Sequence, residues 1–201
     1  MRIGGRALPL ALGLLGALSG QSTSGSALEG GAPAGMLADF DHAGWRTNLG
    51  DPFGAWNSDP GDPTQFCHAR LVEEPRVGAF GYSLMLQYDV DSPNPAYNGF
   101  WMKLPSVAIH PAQVLSLAVK GDPAGFTRRM KLELKSGQRS ATYVLDGIQE
   151  EWVRMRVPLS AFQNIERVHR ATEFVIVFDE DTVTEKTGTV YVDEVALKPG
   201  A

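Results

Sequence analysis

The side chains with the most chemical potential in this chain are large aromatics set beside charged groups. Tyr97 and Trp101 share one parity of a single run, and Trp152 is followed at its own parity by Arg154. Arg129 and Lys131 stand on the polar side of a third run. Indole and phenol rings supply flat apolar area at little entropic cost, and guanidinium groups supply forked donors to hydroxyls or carboxylates. A surface holding both can stack on a ligand and hydrogen-bond its rim. The segment from Trp45 to Asn57 is a second candidate, because it sets Trp45, Phe53, Trp56 and Asn57 among glycines and asparagines. Its composition predicts a loop, and long loops of this kind commonly carry function.

Other reactive constellations are missing. The sequence has no G-x-S-x-G, phosphate-binding loop, H-E-x-x-H or C-x-x-C. His42, His68, His110 and His169 are far apart, and no pair has zinc-ligand spacing. Cys67 is the single cysteine, so no disulfide can form within the chain. It lies next to Phe66 and reads as a buried, inert thiol. On a strand, His68 would point to the opposite face and could not activate it.

The elements that must position these residues read as strands. Leu84, Leu86, Tyr88 and Val90 alternate with polar residues, as do Phe100, Met102 and Leu104. The same holds for Leu115, Leu117 and Val119, for Met130, Leu132 and Leu134, and for Val153, Met155 and Val157. Residues 37–41, 66–72, 142–145, 174–178 and 189–197 complete a set of nine or ten strands separated by Gly, Pro, Asn and Asp clusters. A short helical turn is expected after Pro158. The pattern predicts an all-β fold, a two-sheet antiparallel jelly-roll sandwich. By parity alone, Trp101, Arg129, Lys131, Trp152 and Arg154 all point away from the core.

The chain has 201 residues, 43% of them hydrophobic, which suits one domain with a full core. Residues 1–20 read as a signal peptide: Arg2 and Arg6 precede the apolar stretch Ala7–Leu18, which is too short to span a bilayer. Residues 21–35 have a flexible-linker composition, and the folded domain is expected over 36–199. Without the signal, 16 basic residues face 23 acidic ones, a balance that excludes nucleic acid as a natural partner. These features predict a secreted or periplasmic monomer with no membrane span after signal removal.

Three stretches together carry a family resemblance: Ala38-Asp39-Phe40-Asp41; Leu117-Ala118-Val119-Lys120-Gly121-Asp122; and Val157-Pro158-Leu159-Ser160-Ala161-Phe162 followed by Glu173 to Phe178 and Gly188 to Val195. In order and spacing they resemble the galactose-binding-like jelly rolls, namely the family-11 type of carbohydrate-binding module and the complex I intermediate-associated proteins. The resemblance implies an oligo- or polysaccharide partner and a structural calcium where the first and last strands meet. Asp39, Asp41, Asp193 and Glu194 occupy the matching positions, and oxygen-only ligands suit calcium. The expected sugar site comprises Tyr97, Trp101, Arg129, Lys131, Trp152 and Arg154, rimmed by Trp45, Trp56 and Asn57. No E-x-D-x-x-E of a jelly-roll hydrolase is present, and no Gln-x-His of a lyase follows Met130 to Lys135. The sequence therefore favours a non-catalytic glycan binder. A protein-interaction or assembly module of the same fold is the alternative, with a jelly-roll lyase or hydrolase behind it.

Overall fold

The computed structural model describes residues 35–200. The expected signal peptide, and all but the last residue of the expected linker, lie outside the described residues.

Eleven strands follow in chain order: β1 (Met36–Ala38), β2 (Phe53–Asn57), β3 (Phe66–Val72), β4 (Ser83–Asp89), β5 (Tyr97–Ala108), β6 (Gln113–Gly121), β7 (Arg129–Ser136), β8 (Arg139–Asp146), β9 (Val153–Pro158), β10 (Arg170–Asp179) and β11 (Thr187–Pro199). They form two antiparallel sheets. The front sheet runs β2-β5-β10-β7-β8. The back sheet runs β3-β4-β11-β6-β9, with β1 paired to the C-terminal half of β11. The only helical pieces among the described residues are two single 3-10 turns, Leu159–Ala161 and Ile165–Arg167. The first is the turn expected after Pro158. None is long and apolar enough to cross a membrane.

The core is made largely of the alternating apolar residues read from the sequence; Val153 and Met155, on the edge strand β9, are only part-buried. Leu84, Leu86 and Tyr88 of β4 close it from the back; Phe100 and Met102 of β5, Leu132 of β7 and Phe174 and Phe178 of β10 close it from the front. Tyr88 and Phe178 stack across the interior with centroids 4.1 Å apart and planes 11° apart, which ties the sheets together. Burying each such side chain contributes roughly 1.5–3 kcal/mol. The Cys67 thiol faces this core, and burial pushes its pKa up to about 12, which keeps it inert.

One expected loop is half strand. Phe53–Asn57 pairs along its length with β5 as an edge strand of the front sheet. Glycine weakens strand propensity, but Gly54 here stands opposite Trp101, whose indole lies across it.

Candidate functional site

The front sheet's outer surface gathers the aromatics. Strand register gives two outward rows: Trp56, Gly99, Val177, Lys131 and Val144, then Gly54, Trp101, Val175, Glu133 and Thr142. Lys103, Glu173 and Lys135 form a third. Tyr97 pairs with Asp179 beyond the first. Aromatic side chains therefore occupy the β2/β5 side, together with Lys103, and the other charged ones the β10/β7 side.

Two adjoining depressions of about 450 and 470 Å³ lie between these sides and share Trp56, Tyr97 and Lys135. Together they make a groove. Trp101, Lys103, Glu173 and Val175 line one half; Lys131, Glu133, Val177 and Asp179 line the other. Trp56 and Tyr97 meet edge to face at 5.8 Å, and Tyr97 is 50% exposed. The Lys103 ammonium stands 5.5 Å from the Trp101 ring centroid, within cation–π range.

Each lysine of the groove is paired with a carboxylate, while Glu180 and Asp181 add acidic groups at its rim. Lys103 pairs with Glu173, Lys131 with Asp179 at 2.7 Å and Lys135 with Glu133 at 3.2 Å. Burial by itself would raise the Asp179 carboxyl. The hydrogen bonds from Lys131 and Thr182, with the lysine's charge, outweigh burial and hold it below the ordinary aspartate range. Such a carboxyl is ionised at neutral pH and has no proton to give as a general acid.

The nine residues expected to bind ligand are thus divided. Tyr97, Trp101, Lys131 and Trp56 come together in the groove. Arg129 shares the face but stands at the far end of β7, ion-paired with Asp146 at 2.8 Å. Trp152 and Arg154 are not in the groove: β9 pairs with β6, at the edge of the back sheet, and Arg154 pairs with Glu194. Parity shows which side of its own strand a residue occupies but not which sheet the strand joins. Trp45 and Asn57 are also elsewhere. The Trp45 ring packs 5.3 Å from Phe53, which touches Phe40 and Phe100, so Trp45 caps one end of the core. Asn57 Oδ1 accepts the Cys67 amide at 2.7 Å and ties β2 to β3. Glu173 and Asp179 were missing from the expected site because Val175 and Val177, on their own face, are apolar and mask the alternation of β10.

The four acidic residues assigned to calcium do gather near the β1/β11 contact, but most of the oxygens of Asp39 and Asp193, and one of Glu194, already hold protein partners. Asp193 is almost fully buried, and its two oxygens accept the Val77 and Glu194 amides at 2.9 and 2.7 Å. Asp39 accepts the Asp41 amide and the Asn48 side chain, and Glu194 holds Arg154. Asp41 Oδ1 is wedged against Gly81. Calcium needs six to eight oxygens, and among the described residues no group of three or more Asp, Glu, His or Cys side chains is placed to hold a metal. These residues do not fit the expected calcium. They form a hydrogen-bonding hub in which burial, then the charges of Glu194 and Asp41, push the Asp193 carboxyl up to about 7 despite its two amide donors.

No family model and no curated protein matches the sequence. Solved structures do match the fold. The family 11 carbohydrate-binding module from Clostridium thermocellum, in complex with a β-1,3-1,4-mixed-linked tetrasaccharide, superposes with a TM-score of 0.59 at 16% identity, over 83% of this chain and 95% of that one. The CBM22-1 xylan-binding domain from Paenibacillus barcinonensis Xyn10C gives 0.50 at 15%, over 85% and 99%. An exo-β-agarase gives 0.58 at 10%, over 84% of this chain and 25% of that chain. The chain has the galactose-binding-like β-sandwich fold of family 11 and family 22 carbohydrate-binding modules. The link to complex I intermediate-associated proteins rests on the sequence resemblance alone.

Proposed function

We propose that this protein is an exported, non-catalytic carbohydrate-binding module that holds an uncharged oligo- or polysaccharide in the front-sheet groove. The observation that carries this reading is the division of the groove into an aromatic side, Trp56, Tyr97 and Trp101, and a side of matched lysine–carboxylate pairs. A pyranose ring is apolar across its C–H faces and polar around its rim, and the groove offers a partner for each. The rings stack; the ion-paired lysines and carboxylates donate to and accept from hydroxyls.

The pairing also selects against charge. A uronate or sulfate would find every groove lysine already held by a carboxylate, and its own charge would face Glu133, Glu173 and Asp179. The same pairing disfavours catalysis, since each of these carboxylates is engaged by an ammonium group. The xylan-binding domain and the tetrasaccharide complex among the structural neighbours support a saccharide ligand. Arg2, Arg6 and the apolar stretch Ala7–Leu18 support export. Calcium is not part of the proposal.

A glycan array probed with the purified protein tests it. The expected result is retention on neutral β-linked polysaccharides and none on pectate, alginate or sulfated galactans. Binding confined to the anionic glycans, or to none, would contradict the proposal.

A further inference from the structure

The largest cavity among those described lies away from this groove, on the outer face of the back sheet. It measures about 720 Å³, within the range of small-molecule sites. Its floor is built by register: Phe66, Asp89 and Thr187 form one outward row across β3, β4 and β11, and Gln87 and Thr189 of the next row complete it, with their neighbour His68 outside the lining.

Its wall is the segment Asp122–Phe126, which folds back over β11. The wall is fixed in place. Asp122 N donates to Thr189 O at 3.1 Å, Thr189 N donates to Gly125 O at 2.9 Å, and Asp122 Oδ2 accepts the Tyr191 hydroxyl at 2.6 Å. The segment comes so close to β11 that a Cβ on Gly188 would stand 2.7 Å from the Gly125 carbonyl oxygen. On the opposite side stands the Phe66 ring, backed by His68 in a stack at 4.6 Å and 22°.

Three polar groups of the floor are uncommitted. The Gln87 amide and the Thr187 and Thr189 hydroxyls make no hydrogen bond to any other described residue, whereas Asp89 accepts the Asp91 amide at 2.8 Å and Asp122 the Tyr191 hydroxyl at 2.6 Å. Asp89, Asp122 and Glu185 also line the cavity, and no lysine, arginine or histidine does. The lining therefore repels anions and presents acceptors and hydroxyls beside an aromatic ring. That chemistry matches a polyol with an apolar face.

We infer that this cavity is a second saccharide site, which takes an uncharged sugar segment against Phe66 with Gln87, Thr187 and Thr189 on its hydroxyls. The inference rests on the reading of the protein as a glycan binder. With one site on the outer face of each sheet, a single copy would bridge two glycan strands, and avidity on an insoluble polymer would exceed that of either site.

The test is an amide-resolved NMR titration of the protein with cellohexaose, xylohexaose and laminarihexaose. It is run on wild type, on Trp56→Ala/Trp101→Ala and on Gln87→Ala/Thr189→Val. The expected result with at least one sugar is shifts at Gln87, Gly125, Thr187 and Thr189 that survive the tryptophan changes. In the Gln87/Thr189 variant they should weaken by about tenfold or more in affinity, while shifts at Gly99 and Val177 remain. Shifts confined to the groove would overturn the second site and leave the groove reading intact. Shifts confined to the cavity would support the second site and remove the groove. No shifts at either place with any of the three sugars would overturn both.

Discussion

The indole of Trp101 lies across Gly54 of the neighbouring edge strand, its Cζ2 3.2 Å from the point where a Cβ at position 54 would stand. The absent side chain therefore sets how the ring meets the groove. Gly54→Val should leave the fold intact, since valine favours strands, but its branches would lift or tilt the indole. The expected outcome is weaker glycan binding by calorimetry with an unchanged or slightly higher melting temperature. Unaltered affinity would show that the ring's seat on Gly54 does not matter.

The Lys131–Asp179 pair joins β7 to the end of β10 beneath the groove. Lys131→Met would leave Asp179 without its ammonium partner in a largely buried place, at a cost of about 1–3 kcal/mol at pH 7. The Asp179 pKa is depressed in the folded protein, so its contribution is present above the ordinary aspartate pKa and lost as pH falls through the folded value. Urea denaturation should therefore show the gap between wild type and variant closing below about pH 4. A gap that stays constant with pH would mean the lysine acts through packing alone.

The Asp193 hub titrates in the opposite sense. Its folded pKa is raised to about 7, so the native state binds the proton more tightly than the unfolded chain. Stability should rise as pH drops from about 7 toward the unfolded aspartate value, by up to about 1.4 kcal/mol per pH unit. Melting scans at pH 8 and pH 5.5 should show the higher midpoint at pH 5.5, and Asp193→Asn should flatten the difference. Because these carboxylates do not fit a calcium ion, EDTA should leave the midpoint unchanged at both pH values. A fall on chelation, restored by calcium, would reinstate the metal.

Much of this molecule was legible because a β-sandwich writes its core at period two. Leu84, Leu86 and Tyr88, or Met130, Leu132 and Leu134, announce both a strand and its buried side. The same alternation put Tyr97, Trp101 and Lys131 on outward positions, where they are found. It could not pair strands. Trp152, just before β9, and Arg154 on it had the right parity, but that strand joins β6 of the back sheet, and no local feature of residues 152–157 reports the partner. Phe53–Asn57 was hidden for another reason. A strand containing Gly54 looks like a loop until Trp101, 47 positions later in the chain, is seen to cover it. The acidic hub misled because Asp and Glu spacing is the same whether the oxygens meet a cation or backbone amides.

If the ligand of the proposed binding site lies in the front-sheet groove and not at the β9 edge of the back sheet, Trp101 and Trp152 should give opposite outcomes. Calorimetric titration of wild type, Trp101→Ala and Trp152→Ala, with a neutral oligosaccharide retained on the array, distinguishes the two placements. Loss of a stacked ring costs about 1–3 kcal/mol by analogy with base stacking, so Trp101→Ala should bind at least several-fold more weakly while Trp152→Ala binds like wild type. Retained affinity in Trp101→Ala with a loss in Trp152→Ala, both variants folded, would move the ligand from the front-sheet groove to the β9 edge.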